Sequence, residues 1–242
     1  MINLCIDAGN SKVKQAVISN SKIVEKWAGR NISVKKISDW RKKYPFDGII
    51  LTSVRNISEE SLSFLKNTDA KNIIELSHTT KLPFSINYEQ AESLGKDRIA
   101  AAAYAQGYHN QNCIIIDTGT CITIDLFDKT KGFMGGSILP GLHMRFKALH
   151  NYTDKLPLLS ASGNFKVTGN STNEAINSGV MFGTLLEIQG FINYYKEMFK
   201  EIDILLTGGD MHFFETQLKN KIFANSDLVM LGLDKILYYN AT

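Results

Sequence analysis

Asp7-Ala8-Gly9-Asn10-Ser11 closes the apolar run Ile2 to Ile6, and Asp117-Thr118-Gly119-Thr120 closes the apolar run Cys113 to Ile116. Each is an Asp-x-Gly turn at the end of a short hydrophobic stretch, and Asp117 lies 110 residues after Asp7 in a chain of 242. The segments after the two turns also match. Val13 to Ile18 reads as a second strand, Asn20 and Ser21 as a turn, and Ile23 to Trp27 as a third strand. In the second copy Cys121 to Phe127 alternates, with Thr123 and Asp125 expected on the face opposite Ile122, Ile124 and Leu126. Asp128 to Gly132 then turns, and Phe133 to Ile138 is the next strand. A repeat at nearly half the chain length marks a duplicated unit. It predicts two lobes, residues 1–111 and 112–242, each with one such turn.

Working outward, Ile49 to Leu51 and Ile73 to Leu76 read as core strands, and Arg98 to Tyr108, with four consecutive alanines, as a helix. A long helix is expected from Ser171, where Ser171 and Glu174 fit a capping box, to Phe199. Ile202 to Leu206 reads as a strand ending in Thr207-Gly208-Gly209-Asp210. The class is α/β with mixed sheets.

Composition narrows the function classes. Hydrophobic residues make up 44% and charged residues 21%, an ordinary balance for a globular chain, and only 4 prolines interrupt it. The net charge of +3 is spread out; the clusters Lys35-Lys36 and Arg41-Lys42-Lys43 read as solvated helix faces, so no nucleic-acid partner is expected. Cys5, Cys113 and Cys121 are odd in number and lack CxxC spacing, which suits free thiols in a reducing compartment. No signal-peptide pattern or membrane-length apolar run is present, so a cytoplasmic protein without membrane partners is expected. The five histidines show no metal-ligand spacing, and HExxH, GxSxG and GxxxxGK[ST] are all missing. A zinc enzyme, a serine hydrolase and a P-loop kinase are thereby disfavoured.

An Asp-x-Gly turn between strands can hold a phosphate. Glycine lets the backbone approach closely, successive N–H groups and a Ser or Thr hydroxyl can cradle phosphate oxygens, and the Asp offers a hard oxygen near Mg²⁺. One copy alone reads more readily as a tight turn with an Asx hydrogen bond. Two copies, Asp7 to Lys14 and Asp117 to Thr120, together with Thr207-Gly208-Gly209-Asp210, point to a nucleotide. Gly95-Lys96-Asp97-Arg98 opens the alanine-rich helix. By spacing alone it is a helix start, with the Asp complementing the helix dipole and the Arg paired to a carboxylate. In a kinase, Asp97 becomes a candidate base for the acceptor hydroxyl and Arg98 a candidate clamp for a substrate carboxylate. An Asp at a helix N-terminus is a weak base, which suffices because phosphoryl transfer rests mainly on positioning and charge neutralisation. Ala175, Gly179 and Gly183 form a small-residue row on the long helix, open to core packing or to a dimer contact.

These motifs, in this order, resemble the type III pantothenate kinases of the acetate and sugar kinase/Hsp70/actin superfamily. The resemblance runs nearly end to end. It takes in Asp7-Ala8-Gly9-Asn10-Ser11 with Lys14, Tyr88 ahead of Gly95-Lys96-Asp97-Arg98, and Asp117-Thr118-Gly119-Thr120 with Thr123 and Asp125. It continues through Gly135-Gly136-Ser137-Ile138-Leu139-Pro140-Gly141, Leu156-Pro157, Thr172 with Ala175, and Thr207-Gly208-Gly209-Asp210. It implies two duplicated ribonuclease H-like lobes in an actin-like ATPase architecture. It also implies phosphorylation of pantothenate by ATP with Mg²⁺, the first step of coenzyme A biosynthesis. On this resemblance Asp7, Ala8, Gly9, Asn10, Ser11, Lys12, Val13, Lys14 and Thr120 would bind ATP, and Asp97 would accept the proton. Tyr88, Gly95, Lys96, Asp97, Arg98 and Thr172 would bind pantothenate, and Asp117 would hold a monovalent cation, K⁺ or NH₄⁺. A homodimer is implied as well.

The chain departs from the family pattern at Ser11, Ala91, Cys121 and Met211, where Thr, Pro, Ala and Ala are usual. None of these changes removes a charged or hydroxyl group with an implied role. Two alternatives stand beside the kinase: a non-catalytic regulatory relative, and another small-molecule kinase of the same fold.

Overall fold

The computed structural model describes residues 1–241; Thr242, the last residue of the expected second lobe, lies outside them. The first half runs β1 (Ile2–Ala8), β2 (Val13–Ser19), β3 (Lys22–Gly29), α1 (Val34–Lys43), β4 (Gly48–Ser53), α2 (Glu59–Lys66), β5 (Asn72–Glu75) and α3 (Lys96–Tyr108). The second runs β6 (Asn112–Thr118), β7 (Cys121–Asp128), β8 (Gly132–Pro140), α4 (Leu142–Asn151), α5 (Thr172–Asn177), α6 (Gly183–Met198), β9 (Ile202–Thr207), α7 (Met211–Gln217), β10 (Phe223–Ala224) and α8 (Leu228–Ala241). The sheet orders are β3-β2-β1-β4-β5 and β10-β9-β6-β7-β8. Counted from β6, the second order is the first repeated. In both sheets the central strand has a parallel neighbour that arrives much later in sequence, β4 beside β1 and β9 beside β6. The duplication inferred from the turns is therefore a duplication of topology, and the fold is α/β with two ribonuclease H-like sheets.

Local chemistry explains the strands. β1 and β6 show the same succession of burial, four buried residues, a half-buried Asp and a buried residue after it. Strands covered on both faces are continuously apolar rather than alternating; Leu4 to Ile6 and Cys113 to Ile116 follow this, while the buried Asn3 and Thr118 and the two Asp depart from it. The β2–β3 turn places Asn20 and Ser21 at φ 51° and 59°, the left-handed pair of a tight hairpin.

Three expectations need correction. β5 is a sheet edge rather than a core strand, so Ile73 is 40% exposed while Leu76 just beyond is buried. In β7 the alternation breaks: Asp125 is 1% exposed and lies where a Cβ at Gly136 would sit, whereas Leu126 is only half-buried. The long helix is not continuous, because a π-helical turn, Ser178–Phe182, separates α5 from α6. Its cap also differs from a full capping box. Ser171 Oγ accepts from Glu174 N–H at 3.3 Å, but the Glu174 carboxylate accepts from Asn170 N–H at 3.0 Å and from Lys166.

By internal packing the described residues form two units: residues 1–110, 127–134 and 227–241, and residues 111–126 and 135–226. The sequence-read lobes differ from these units in two segments, the tip of the β7–β8 hairpin and α8. The reason for α8 is a close helix pair within the first unit. A Cβ at Gly232 would overlap the carbonyl oxygen of Ala100, so α8 lies directly on the alanine face of α3. Asn3 on β1 donates to Asp234 on α8 at 2.7 Å in the same interior. The first unit buries Leu4, Ile6, Val17, Ile37 and Ile49 together; the second buries Ile114, Ile116, Ile122, Ile188 and Leu206. Three basic residues of α1 are paired, Arg41 with Asp69, Lys42 with Asp39 and Lys43 with Glu25, as on a solvated helix face. No helix among the described residues is long and apolar enough to cross a membrane.

Candidate active site

In the first unit the phosphate turn is the four-residue link Gly9-Asn10-Ser11-Lys12 between β1 and β2. Ala8 and Val13, which flank it, are buried, and Asn10, Ser11 and Lys12 are exposed. Asp7 sits near the end of β1 between two register partners, Lys14 on β2 and Thr52 on β4. Burial pushes the Asp7 carboxyl up to about 6; Lys14 pulls it down, and Asp97 pushes it further up. Asp7 and Asp97 are thus close enough to feel each other. Thr52 is 1% exposed and its Oγ1 has no hydrogen-bond partner.

α3 delivers the other residues. Gly95 caps it, and a Cβ there would stand 2.6 Å from Asp97 Oδ1, so the carboxylate can fold back over the helix start only past a glycine. Asp97 Oδ1 accepts from Arg98 N–H at 2.9 Å. Arg98 is 5% exposed, with its guanidinium carbon 5.7 Å from the Tyr88 ring centroid. Lys96 turns its ammonium to backbone, donating to the Glu92 and Leu94 carbonyls at 3.2 and 3.0 Å. It therefore braces the turn before α3.

In the second unit Asp117 on β6 is the register partner of Thr207 on β9, as Asp7 is of Thr52. The Gly119 turn is closed by Gly119 N–H to the Cys121 carbonyl at 3.0 Å. Two other segments grip it. Thr118 Oγ1 donates to the Thr207 carbonyl at 2.8 Å, and Asp210 N–H donates to the Thr118 carbonyl at 2.9 Å. Gly208 makes this possible. At φ 103° it occupies the left-handed region, and a Cβ would stand 2.5 Å from the Thr118 backbone. Burial raises the Asp210 carboxyl, while His143 lowers it. Thr120 is exposed at the turn, and Thr172 is the exposed first residue of α5.

The structure thus brings Asp7, Lys14 and Asp97 together in one unit, with Tyr88 beside Arg98. It joins Asp117 and Thr118 to the Thr207–Asp210 turn in the other, with Thr120 exposed at the Gly119 turn. Sequence reasoning missed Thr52. A signal for Thr52 was available: a Thr directly after a buried strand in each half, Thr52 and Thr207.

A sequence profile of type III pantothenate kinases matches residues 3–194. The chain belongs to the type III pantothenate kinase family. A relative named type III pantothenate kinase from Phocaeicola vulgatus is 40% identical over 240 residues, covering 99% of each chain. Among solved structures, a Campylobacter jejuni chain named as a candidate Baf family transcriptional activator aligns over 98% of both chains, with a TM-score of 0.64 and 23% identity. An activator of 2-hydroxyisocaproyl-CoA dehydratase from Clostridium difficile, with bound ADPNP, gives a TM-score of 0.56 at 11% identity over 100% of this chain and 96% of its own. At these identities the two structures speak for the fold alone, the actin-like kinase fold. The family match spans every site residue inferred from sequence; Thr207-Gly208-Gly209-Asp210 lies beyond it.

Proposed function

We propose that this chain transfers the γ-phosphate of ATP to the hydroxyl of pantothenate, giving 4′-phosphopantothenate and ADP in the first step of coenzyme A biosynthesis. Family membership makes it an ATP-dependent kinase that works with a divalent metal. The observation that carries the site assignment is that the Asp97 charge, at the start of α3, reaches Asp7, at the first Asp-x-Gly turn, and raises its carboxyl.

Asp7, Ala8, Gly9, Asn10, Ser11, Lys12, Val13 and Lys14 form the phosphate cradle, with Thr120 as a further ATP contact. Asp7 fits a hydrated Mg²⁺. Burial raises its carboxyl to about 6, a penalty on the ionised form that a neighbouring cation would offset, and the partnerless Thr52 hydroxyl is its neighbour in register. When bound, the metal supplies charge neutralisation on the phosphates. The chain's own groups do the rest. Arg98 pairs with the pantothenate carboxylate, with Tyr88, Gly95 and Lys96 around it in the same unit; Thr172 is a further proposed pantothenate contact. The hydroxyl oxygen bonds to the γ-phosphorus as the bond to the β–γ bridging oxygen breaks, and the hydroxyl proton passes to Asp97.

Asp117, which stands in its sheet where Asp7 stands in the other, is the proposed ligand of a monovalent cation, K⁺ or NH₄⁺. Equal rates in K⁺ and in a bulky organic cation would remove that role. A homodimer is proposed through α5 and α6. A Cβ at Gly179, Gly183 or Gly190 would meet nothing within 4 Å, and Leu186, Tyr194 and Met198 are 53%, 59% and 56% exposed along the same line. A reducing, cytoplasmic setting suits the three free cysteines.

The test is ADP release with ATP, Mg²⁺ and K⁺, with and without pantothenate. Pantothenate-dependent turnover is expected. A folded protein that binds ATP but shows no stimulation overturns the reading in favour of a non-catalytic relative or a different acceptor. A non-catalytic relative has no need of Asp97 or Arg98, and both are present.

A further inference from the structure

Phe133 belongs to none of the phosphate or acceptor motifs, yet it lies against two of the acceptor-site residues. It is fully buried in the first unit. The Arg98 guanidinium carbon is 5.4 Å from its ring centroid and 5.7 Å from that of Tyr88, and the two rings are 6.2 Å apart. One guanidinium therefore lies over two adjacent aromatic rings.

The backbone around Phe133 fixes this arrangement. Phe133 N–H donates to the Ser85 carbonyl at 2.9 Å, and Asn87 N–H donates to the Phe133 carbonyl at 2.8 Å, a parallel bridge centred on Ile86. Asn87 Nδ2 donates to the Lys131 carbonyl at 2.7 Å. Gly132, at φ 87°, lies so close to Ser85 that a Cβ would overlap its carbonyl oxygen. The hairpin tip is itself held by Asp128 Oδ1, which accepts from Thr130 N–H, Thr130 Oγ1 and Lys131 N–H at 2.8, 2.7 and 2.9 Å. Lys129 Nζ reaches the His109 carbonyl, just past the C-terminal end of α3, at 2.9 Å. The tip thus clasps the segment that carries Tyr88 and touches α3 near both ends.

We propose that Phe133, presented by the β7–β8 hairpin tip, is a positioning residue that holds Arg98 and Tyr88 ready for the carboxylate of the acceptor. This rests on the reading above that Arg98 binds that carboxylate. A free arginine side chain has about 2 kcal/mol of rotamer entropy to lose on binding. Packing against two rings removes part of that freedom beforehand. Loss of such preorganisation weakens acceptor binding and leaves the transfer step alone.

The test compares wild type, Phe133→Leu, and 3,4,5-trifluorophenylalanine placed at position 133, which keeps the ring size but depletes its negative face. In Phe133→Leu the pantothenate KM is expected to rise on the order of tenfold, with kcat and the ATP KM within about twofold. The fluorinated ring is expected to give an intermediate rise, and it carries the test if Phe133→Leu does not fold. A pantothenate KM that stays at the wild-type value, or a parallel fall in kcat and ATP affinity, overturns the proposal. A second readout needs no substrate. The Nε–H resonance of Arg98, identified with Arg98→Lys, is expected to lose its ring-current shift in Phe133→Leu; an unmoved resonance overturns the positioning role. If wild type ignores pantothenate, the proposed function fails, while the resonance still decides whether Phe133 positions Arg98.

Discussion

At Asp7 one carboxyl carries both a structural cost and a functional role. Its folded-state pKa is raised from 3.8 to about 6, chiefly by burial. Between those values the folded chain keeps a proton that the unfolded chain has lost. The folded state binds more protons there, so the stability contributed by this group falls as pH rises from about 4 to about 6 and stays low above that. Asp7→Asn cannot ionise and removes the fall. In metal-free buffer, urea unfolding should show the variant equal to wild type near pH 4 and more stable above pH 6, on the order of 1–2 kcal/mol. Parallel curves at all pH values would sink this account. Asp97 makes the complementary prediction. Asp97→Asn keeps an acceptor for the Arg98 N–H but not a base, so kcat should fall by about 10²–10⁴-fold with ATP affinity within a few-fold. Turnover at the wild-type level would remove Asp97 from the proton-accepting role. Both residues stood out in the sequence because an Asp at the end of an apolar run, or at a helix start, is a local pattern. Thr52 did not, because its meaning comes from register with a strand far away in sequence.

Among the elements, α3 shows how packing serves the site. Its run of four alanines reads as helix propensity, but the tertiary reason is α8. Gly232 lies so close to Ala100 that no side chain fits, and the alanine face of α3 meets α8 directly at this glycine. α3 is thereby fixed along its length, and with it Asp97 and Arg98 at its first turn. Gly232→Val should force the helices apart, lowering stability by about 1–3 kcal/mol and, through Asp97, lowering kcat. Thermal unfolding and steady-state rates check the two effects, and a stable variant with full activity would contradict them. The opposite situation holds on α5 and α6. Gly179 and Gly183 face open space within the chain, so the bland alternative of intramolecular packing finds no neighbour at these two positions. Gly179→Arg should shift the proposed dimer to monomer in sedimentation at micromolar concentration, with the far-UV spectrum unchanged. A variant that sediments as wild type does would place the contact elsewhere.

For the whole molecule, the duplication of a strand–turn–strand unit was legible in the chain itself. Strand, Asp-x-Gly turn and hairpin are all local signals, and their recurrence after 110 residues, from Asp7 to Asp117, carried the inference of two related sheets. Family membership was legible for a similar reason, since it rests on the order and spacing of short motifs. The tertiary structure decided what depends on contacts distant along the chain. It paired Asp7 with Thr52 and Asp117 with Thr207, because a parallel partner strand arrives only after a crossover whose landing register no local pattern encodes. It brought α8 back to the first unit, since an apolar helix does not announce which surface it will cover. It buried Asp125 against the strand alternation, because room came from Gly136 on the neighbouring strand. It also put Phe133 against Arg98, joining a hairpin and a helix that share no motif. Sequence alone determined the chemistry available at each turn and the architecture that repeats it. Folding decided which of those groups meet, because burial, register and close packing are set by residues far apart in the chain.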